Sequence, residues 1–399
     1  MNKQFSCYLI VLSSIYLPNS IAFQNLGAKR VSEKKVAETT VEETRVSKAA
    51  SVIPKVVSLL DQHSKTFQSQ WQQSQSFEQA KVLVLNSGNQ LWNNAKTKIR
   101  QTESFDDRSL YWQRLKISRI IRSIKPQFSC NQKQLSELLN ILEQSSRGIN
   151  NIHFDQPANK KILLTGFDPF LLDRNINQSN PSGVVALLLD GLVIEKDGIS
   201  AQINTFVAPV RYRDFDQGLI ETTLSPYYLL NNLNMITTVS MGRKDFDLER
   251  FPGKRRSVTA PDNLNILSGG TSKSPVISKL GNQQLPGPEF VEFSLPVSKM
   301  KSARGKYKIN DNHQVTTTQK TFEPTSLSEL KNAIAVSGSG GGYLSNEISY
   351  RSIRLRNQIG SQIPTGHIHT PRIQKYDPEA TKAIVEQIVE MLKLSLTEI

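Results

Sequence analysis

Three residues far apart in the 399-residue chain combine into the chemistry of acyl transfer: Ser345, His369 and Glu249. Ser345 stands in Gly341-Gly342-Tyr343-Leu344-Ser345-Asn346, His369 in Gly366-His367-Ile368-His369-Thr370-Pro371, and Glu249 in Leu248-Glu249-Arg250. A hydroxyl is a weak nucleophile until a base removes its proton and donors stabilise the oxyanion that follows. His369 is the candidate base, and Glu249 the acid that fixes its tautomer and stabilises the imidazolium. Glycines between 338 and 342 let backbone N–H groups approach a substrate, and Asn346 begins a candidate helix. Each residue also has a structural reading. Serine beside glycine makes turns, a lone glutamate sits in solvent, and a strand histidine satisfies its own hydrogen bonds. Spacing alone leaves both readings open.

Two rival sites use the same neighbourhood. His367 and His369 are two apart on a strand, face one side, and could ligate zinc with a carboxylate. Neither a His-Glu-x-x-His step nor a cysteine pair accompanies them. Ser339, in Ser337-Gly338-Ser339-Gly340-Gly341, faintly resembles a nucleophile elbow, but the first glycine of Gly-x-Ser-x-Gly is missing.

The elements that must hold these residues alternate. Lys161–Phe167 is an apolar run closed by glycine, the pattern of a buried strand entering a loop. Similar runs recur at Ile203–Val210, Met235–Met241, Ala333–Val336 and Gly366–Thr370. Helical patterns lie at Ser182–Leu189 and Pro378–Leu396. In the latter Asp377 can cap, Pro378 suits the first turn, and Ile384, Ile388, Met391 and Leu392 form a core stripe. Strands alternating with helices predict an α/β sandwich. Residues 264–325, rich in Ser, Gly, Lys and Pro, read as long loops or an insertion.

The N-terminal part differs. Residues 51–150 are rich in Gln, Ser and Asn with helical stripes at Val52/Val56/Leu59/Leu60, Leu115/Ile117/Ile120/Ile121 and Leu135/Leu138/Leu139/Leu142, the last after an Asn131 start. They predict an all-helical domain of three to five helices, a scaffold or a partner-binding module. Residues 23–50 read as a linker or mobile arm. Before them, Met1-Asn2-Lys3, the apolar run Tyr8–Leu17 and Ser20-Ile21-Ala22 match an export signal over residues 1–22. The expected location is therefore periplasmic or secreted. Removing that segment takes Cys7 with it and leaves Cys130 without an internal disulfide partner.

Composition bounds the function class. Apolar residues make up 38% and charged residues 21%, which excludes a wholly disordered or membrane-embedded chain. The net charge of +14 favours anionic surfaces, with Lys254-Arg255-Arg256 as a solvated basic face or a docking patch. No helix-turn-helix, zinc-finger or aromatic-basic RNA motif is visible, so specific nucleic-acid binding is not expected.

From Lys161 onward the chain resembles pyroglutamyl peptidase I, also called pyrrolidone-carboxylate peptidase. Gly166-Phe167-Asp168-Pro169-Phe170 is similar to the family's opening signature, and Asn180-Pro181-Ser182 to the step after it. Leu248-Glu249-Arg250, Pro261-Asp262-Asn263 and Leu295-Pro296-Val297 follow in order. Gly341-x-Tyr343-x-Ser345-Asn346 resembles the nucleophile motif with serine in place of cysteine, and Gly366-x-Ile368-His369-x-Pro371 the histidine motif. The resemblance spans most of residues 160–396 and none of the helical part. It implies a three-layer α/β/α fold without metal or cofactor. It also implies removal of N-terminal pyroglutamate, or a related blocked group, from peptides, with Ser345, His369 and Glu249 as triad. Phe167 and Phe170 would sandwich the flat lactam, with Asn180, Arg250 and Phe251 also at the substrate. A homo-oligomer is compatible with it, and so is a catalytically silent relative that binds peptides or serves as a structural protein.

The departures cluster near that pocket. Leu171-Leu172 replace glycines, Phe251, Pro252 and Lys254 replace smaller or amide residues, and Arg243-Lys244-Asp245-Phe246 replaces a glycine-rich stretch. Pro252 removes a donor from a segment expected to be strand-like.

Overall fold

The computed structural model describes residues 38–399. The expected export signal lies outside them, as does the linker up to residue 37. Six helices come first: α1 (Val41–Val52), α2 (Pro54–Ser58), α3 (Asp61–Gln73), α4 (Phe77–Thr102), α5 (Arg108–Ser123) and α6 (Gln132–Ser146).

The expected arm thus ends before Val41 instead of reaching residue 50. Thr40 and Glu43 form a reciprocal capping box that starts α1. The buried face of α1 is largely charged (Glu42, Glu43 and Arg45 beside Val46 and Ala49), so no apolar stripe announces it. The first expected stripe also fails. Pro54 opens a new helix, the helical spacing is broken there, and Val52 and Leu59 face solvent. The stripes from Leu115 and from Leu135 do build core, and Asn131 caps α6 with a second capping box.

After α6 the chain alternates. In order come β1 (Lys160–Phe167), α7 (Pro181–Leu189), β2 (Val193–Lys196), β3 (Ile199–Ala208), α8 (Tyr212–Asp216), α9 (Leu219–Leu230), β4 (Met235–Met241) and β5 (Phe246–Glu249). A stretch of short ribbons follows. β6 (Arg255–Arg256) pairs with β7 (Val276–Ile277), and β8 (Lys279–Leu280) with β9 (Gln283–Gln284). Then come α10 (Val297–Lys301), β10 (Ile309–Asn312) and a small sheet of β11 (Val315–Thr317), β12 (Thr321–Phe322) and β13 (Ala335–Ser337). The chain continues through α11 (Leu344–Ile359), β14 (Thr365–Thr370) and α12 (Pro378–Ser395).

The main sheet has seven strands in the order β10-β5-β14-β4-β1-β3-β2. β3, β1, β4 and β14 are parallel, β2 is an antiparallel edge, and β5 runs antiparallel to β14. β10 adds parallel to β5, so the segment read as an insertion completes the sheet. Successive β1 residues go to different cores. Leu163 and Phe167 pack with α9 and α11, and Ile162 and Leu164 with α7 and α12. That second core runs on without a break into α3, α4, α5 and α6. The helical region is therefore packed against the α/β region, not tethered to it.

Candidate active site

Glu249 closes β5 and is fully buried. His369, on β14, donates from Nδ1 to Glu249 Oε1 in a short hydrogen bond. The carboxylate therefore fixes the tautomer and leaves Nε2 as the free acceptor. The other oxygen, Oε2, accepts from Asn312 Nδ2 at 2.9 Å, and the same amide also reaches Ser339 O at 3.0 Å. Arg243, after β4, donates to Ser339 O at 3.0 Å and lies 3.9 Å from Glu249 Oε1. Burial pushes the Glu249 carboxyl above its ordinary value, and the imidazole of His369 opposes this.

Ser345 is the second residue of α11 and half-buried. Its Oγ donates to Gly340 O at 3.4 Å, and not to His369. Asn346 anchors the start of the helix, accepting from Gly253 N at 2.9 Å and donating to Gly253 O at 2.7 Å. Ser345 and His369 line one open cleft together with Phe170, Met241, Arg243 and Tyr343. Beside it lies a smaller cavity of about 30 Å³ walled by Phe167, Phe170, Asn180, Val210, Tyr343 and Ser345. Phe167 is stacked on Phe215, with ring centroids 6.2 Å apart, and Phe170 leans on Tyr343 at 6.4 Å. Asn180 caps α7 and spans to Asp168 O at 2.9 Å.

The structure thus brings Ser345, His369, Glu249, Phe167, Phe170 and Asn180 to one place. It does not bring Arg250 or Phe251 to either cavity. Arg250 pairs with Asp311 at 2.6 Å and stacks over Phe293. Phe251 is fully buried in a separate cluster with Phe290, Val315 and Leu330. Arg250 alternates to the side opposite Glu249, and Phe251, beyond the end of β5, is turned into its own cluster with its N–H donating to Ser339 Oγ. Pro252 lies beyond the strand and removes no ladder donor.

The rivals lose their geometry. Both ring nitrogens of His367 face hydroxyls of β4, Thr238 at 2.7 Å and Ser240 at 2.8 Å. Burial, then neighbouring His369, pushes this imidazole well below its ordinary value, so it stays neutral and engaged. Ser339 accepts from Phe251 N at 3.0 Å through its hydroxyl and serves as a brace. The Lys254-Arg255-Arg256 cluster is not a solvated face. Arg256 is buried between Glu347 and Asp216, Arg255 pairs with Glu289, and Lys254 donates to Gly287 O.

Sequence reasoning missed Asn312, because it sits in the segment read as an insertion and its role appears only once β10 pairs with β5. Leu171, which stands where close backbone approach was in doubt, takes a φ of 59°, in the left-handed region glycine favours. Leu172 meanwhile buries into the cluster of Val46, Tyr111, Trp112 and Leu115 from the N-terminal helices.

Comparison with known proteins gives the following. The family model described as PA0049, C-terminal domain, matches residues 161–294 and 289–374, and the PA0049 N-terminal domain matches residues 25–143. Uncharacterized protein PA0049 of Pseudomonas aeruginosa is 26% identical over 394 residues, covering 75% of this chain and 71% of that protein. A solved structure of pyrrolidone carboxyl peptidase from Pyrococcus furiosus is 22% identical and covers 60% of this chain and 99% of that one, with a TM-score of 0.40. A mutant of the same enzyme is 23% identical with the same coverage and TM-score. The two family models between them take in both the helical and the α/β regions, and on that match the chain belongs to the PA0049 family.

Proposed function

We propose that this protein is an exported hydrolase that removes an N-terminal pyroglutamyl residue, or a related blocked group, from peptides. The α/β region would then have the three-layer arrangement of pyroglutamyl peptidase I, as the sequence motifs imply. One observation carries the reading. His369, oriented by Glu249, and Ser345 open onto the same cleft, beside a cavity walled by two phenylalanines and an asparagine.

The reaction follows from these positions. The lactam ring enters between Phe167 and Phe170, whose flat faces suit it. His369 Nε2 takes the Ser345 proton as Oγ bonds to the pyroglutamyl carbonyl carbon. First-turn N–H groups of α11, which lack intrahelical acceptors, face the developing oxyanion. Collapse breaks the C–N bond, and the proton on His369 passes to the departing amine. Water, deprotonated by the same imidazole, then releases pyroglutamate and restores Ser345.

A specific observation favours a second reading, binding without turnover: the Ser345 hydroxyl is directed to Gly340 O. Cysteine is also intrinsically the better nucleophile near neutral pH. Hydrolysis of pyroglutamyl-aminomethylcoumarin by the native protein, Ser345→Ala and Ser345→Cys separates the two. Native activity that vanishes in the alanine variant supports the hydrolase. Activity only in the cysteine variant supports an intact pocket with a silent nucleophile. A folded protein inactive in all three forms overturns both the hydrolase and the intact pocket.

A further inference from the structure

The N-terminal helices do not merely cover the α/β region. Their charged side chains end on the segments that carry the cavity walls. Asp168, between Phe167 and Phe170, is fully buried and held by two guanidiniums: Arg114 of α5 at 2.8 Å and Arg147, after α6, at 2.7 Å. Asp107, at the start of α5, accepts from Ser179 Oγ at 2.7 Å and from Asn180 N at 3.1 Å. Arg211, next to the cavity-lining Val210, pairs with Glu143 of α6 at 2.5 Å and with Glu42 of α1 at 3.4 Å. Three segments from three elements of the α/β region are gripped in this way. Each supplies a wall of the same cavity. The two loops are also tied to each other, because Asn180 Nδ2 donates to Asp168 O.

Such a concentration is not what stabilising an interface requires. Buried ion pairs roughly break even against apolar packing of the same volume, so they add little net stability. What they add is direction, since each carboxylate and guanidinium accepts one geometry. Elsewhere on the same interface the contacts go to segments that do not line this cavity: Arg45 pairs with Asp173, Arg108 donates to Asn177 O, and others reach the far end of α7. Arg100 donates to Leu188 O and Asp190 O, and Trp92 to Asp190 Oδ2 at 3.0 Å.

We infer that the helical N-terminal region is part of the binding site, with Asp107, Arg114 and Arg147 as positioning residues that fix the Phe167–Phe170 and Ser179–Asn180 walls. From the reading above the inference takes only that this cavity receives the substrate.

The test is amide hydrogen exchange on the full chain, comparing native protein with Asp107→Ala, Asp107→Asn, Arg114→Met and, as control, Arg100→Met. Loss of one of these hydrogen bonds corresponds to roughly tenfold faster opening. Asp107→Ala and Arg114→Met should show about that acceleration at amides of 167–170 and 179–183, with residues 365–370 unchanged. Arg100→Met should leave the cavity segments at native rates. Asp107→Asn keeps one acceptor and should give a smaller effect, and it serves if the alanine variant fails to fold. With a pyroglutamyl peptide, KM should rise about tenfold while kcat stays within a factor of about two, and asparagine should restore part of the loss. Unchanged exchange at both walls, or acceleration spread evenly over the chain, overturns the inference. If the native protein neither binds nor cleaves the pyroglutamyl peptide, the functional reading fails, and the exchange data alone decide the positioning role.

Discussion

Arg114 of α5 and Asp168 of the loop after β1 are both almost wholly buried and lie 2.8 Å apart, with Arg147 closing on the other carboxylate oxygen. One negative charge thus serves two cations from the helical region. Removing the shared partner leaves the Arg114 guanidinium buried beside Arg147 without its carboxylate, while Arg147 keeps Glu143, whereas removing one cation leaves a complete pair. Asp168→Ala should therefore cost about 3–5 kcal/mol and Arg114→Met clearly less. The two substitutions together should be milder than the sum of the single effects. Urea unfolding midpoints of the three variants check this, and additive losses would contradict it.

Asp107 makes a prediction about pH. Burial, then neighbouring Asp106, pushes its carboxyl from an ordinary 3.8 up to about 8, although Ser179, Asn180 and Arg108 pull the other way. Between those values the native state binds more protons than the unfolded state, so this group makes stability fall as pH rises. Its full contribution is present below about pH 4 and is lost by about pH 8. The slope is at most about 1.4 kcal/mol per pH unit. His367 acts in the opposite sense below its ordinary 6.5, since its depressed value favours the unfolded state in acid. The measurement is therefore the stability difference between native protein and Asp107→Asn from pH 5 to 9. It should change steadily up to about pH 8 and then level off.

Glu249→Gln tests the orienting acid. The native carboxylate accepts from His369 on one oxygen and from Asn312 on the other. A glutamine has one acceptor and one donor end. Whichever way its amide turns, the NH₂ meets either the imidazole N–H or the Asn312 amide. The imidazole escapes by changing tautomer, which takes the acceptor away from the cleft. In whichever form turns over, with serine or with cysteine at 345, kcat should fall about 10³–10⁴-fold. A loss smaller than tenfold would exclude Glu249 from that role.

Gly242→Ala should move His369 without touching its chemistry. A Cβ at 242 would lie 2.6 Å from His369 Cβ and 3.0 Å from Thr370 O. Strand β14 must shift to admit it, at a cost of about 1–3 kcal/mol. The expected result is a lowered melting temperature together with a displaced imidazole nitrogen resonance. An unchanged resonance would show that the pairing with Glu249 is more tolerant than the close approach implies.

How far these relationships could be read beforehand depends on their range. Met235–Met241 is a run of apolar and hydroxyl residues and reads correctly as β4, because central parallel strands are buried on both faces. Asp377 and Asn131 announce their helices through local capping chemistry. The α1 helix does not, since its buried face consists of charges whose partners lie at Arg211, Tyr111, Ser118 and Asp173. The same holds for the site. Ser345, His369 and Glu249 stand in short motifs, while Asn312 acts only through a sheet pairing that no local pattern encodes. Arg250 and Phe251 sit next to Glu249 in sequence but leave the site, Arg250 by alternating to the opposite side and Phe251 by turning into its own cluster.

Strand β14 lies between β4 and β5, although more than a hundred residues separate it from either in the chain. During synthesis β5 therefore leaves the ribosome with no neighbour on the sheet side, and its other partner, β10, is also still to come. Glu249 meets water until residues 309–312 and then 365–370 are made. Long-range closures of this kind are slow and come late. A chain halted before residue 365 would lack the histidine and would also leave β4 as an open edge. The unit that could perform chemistry is complete only once β14, the last strand, has been made.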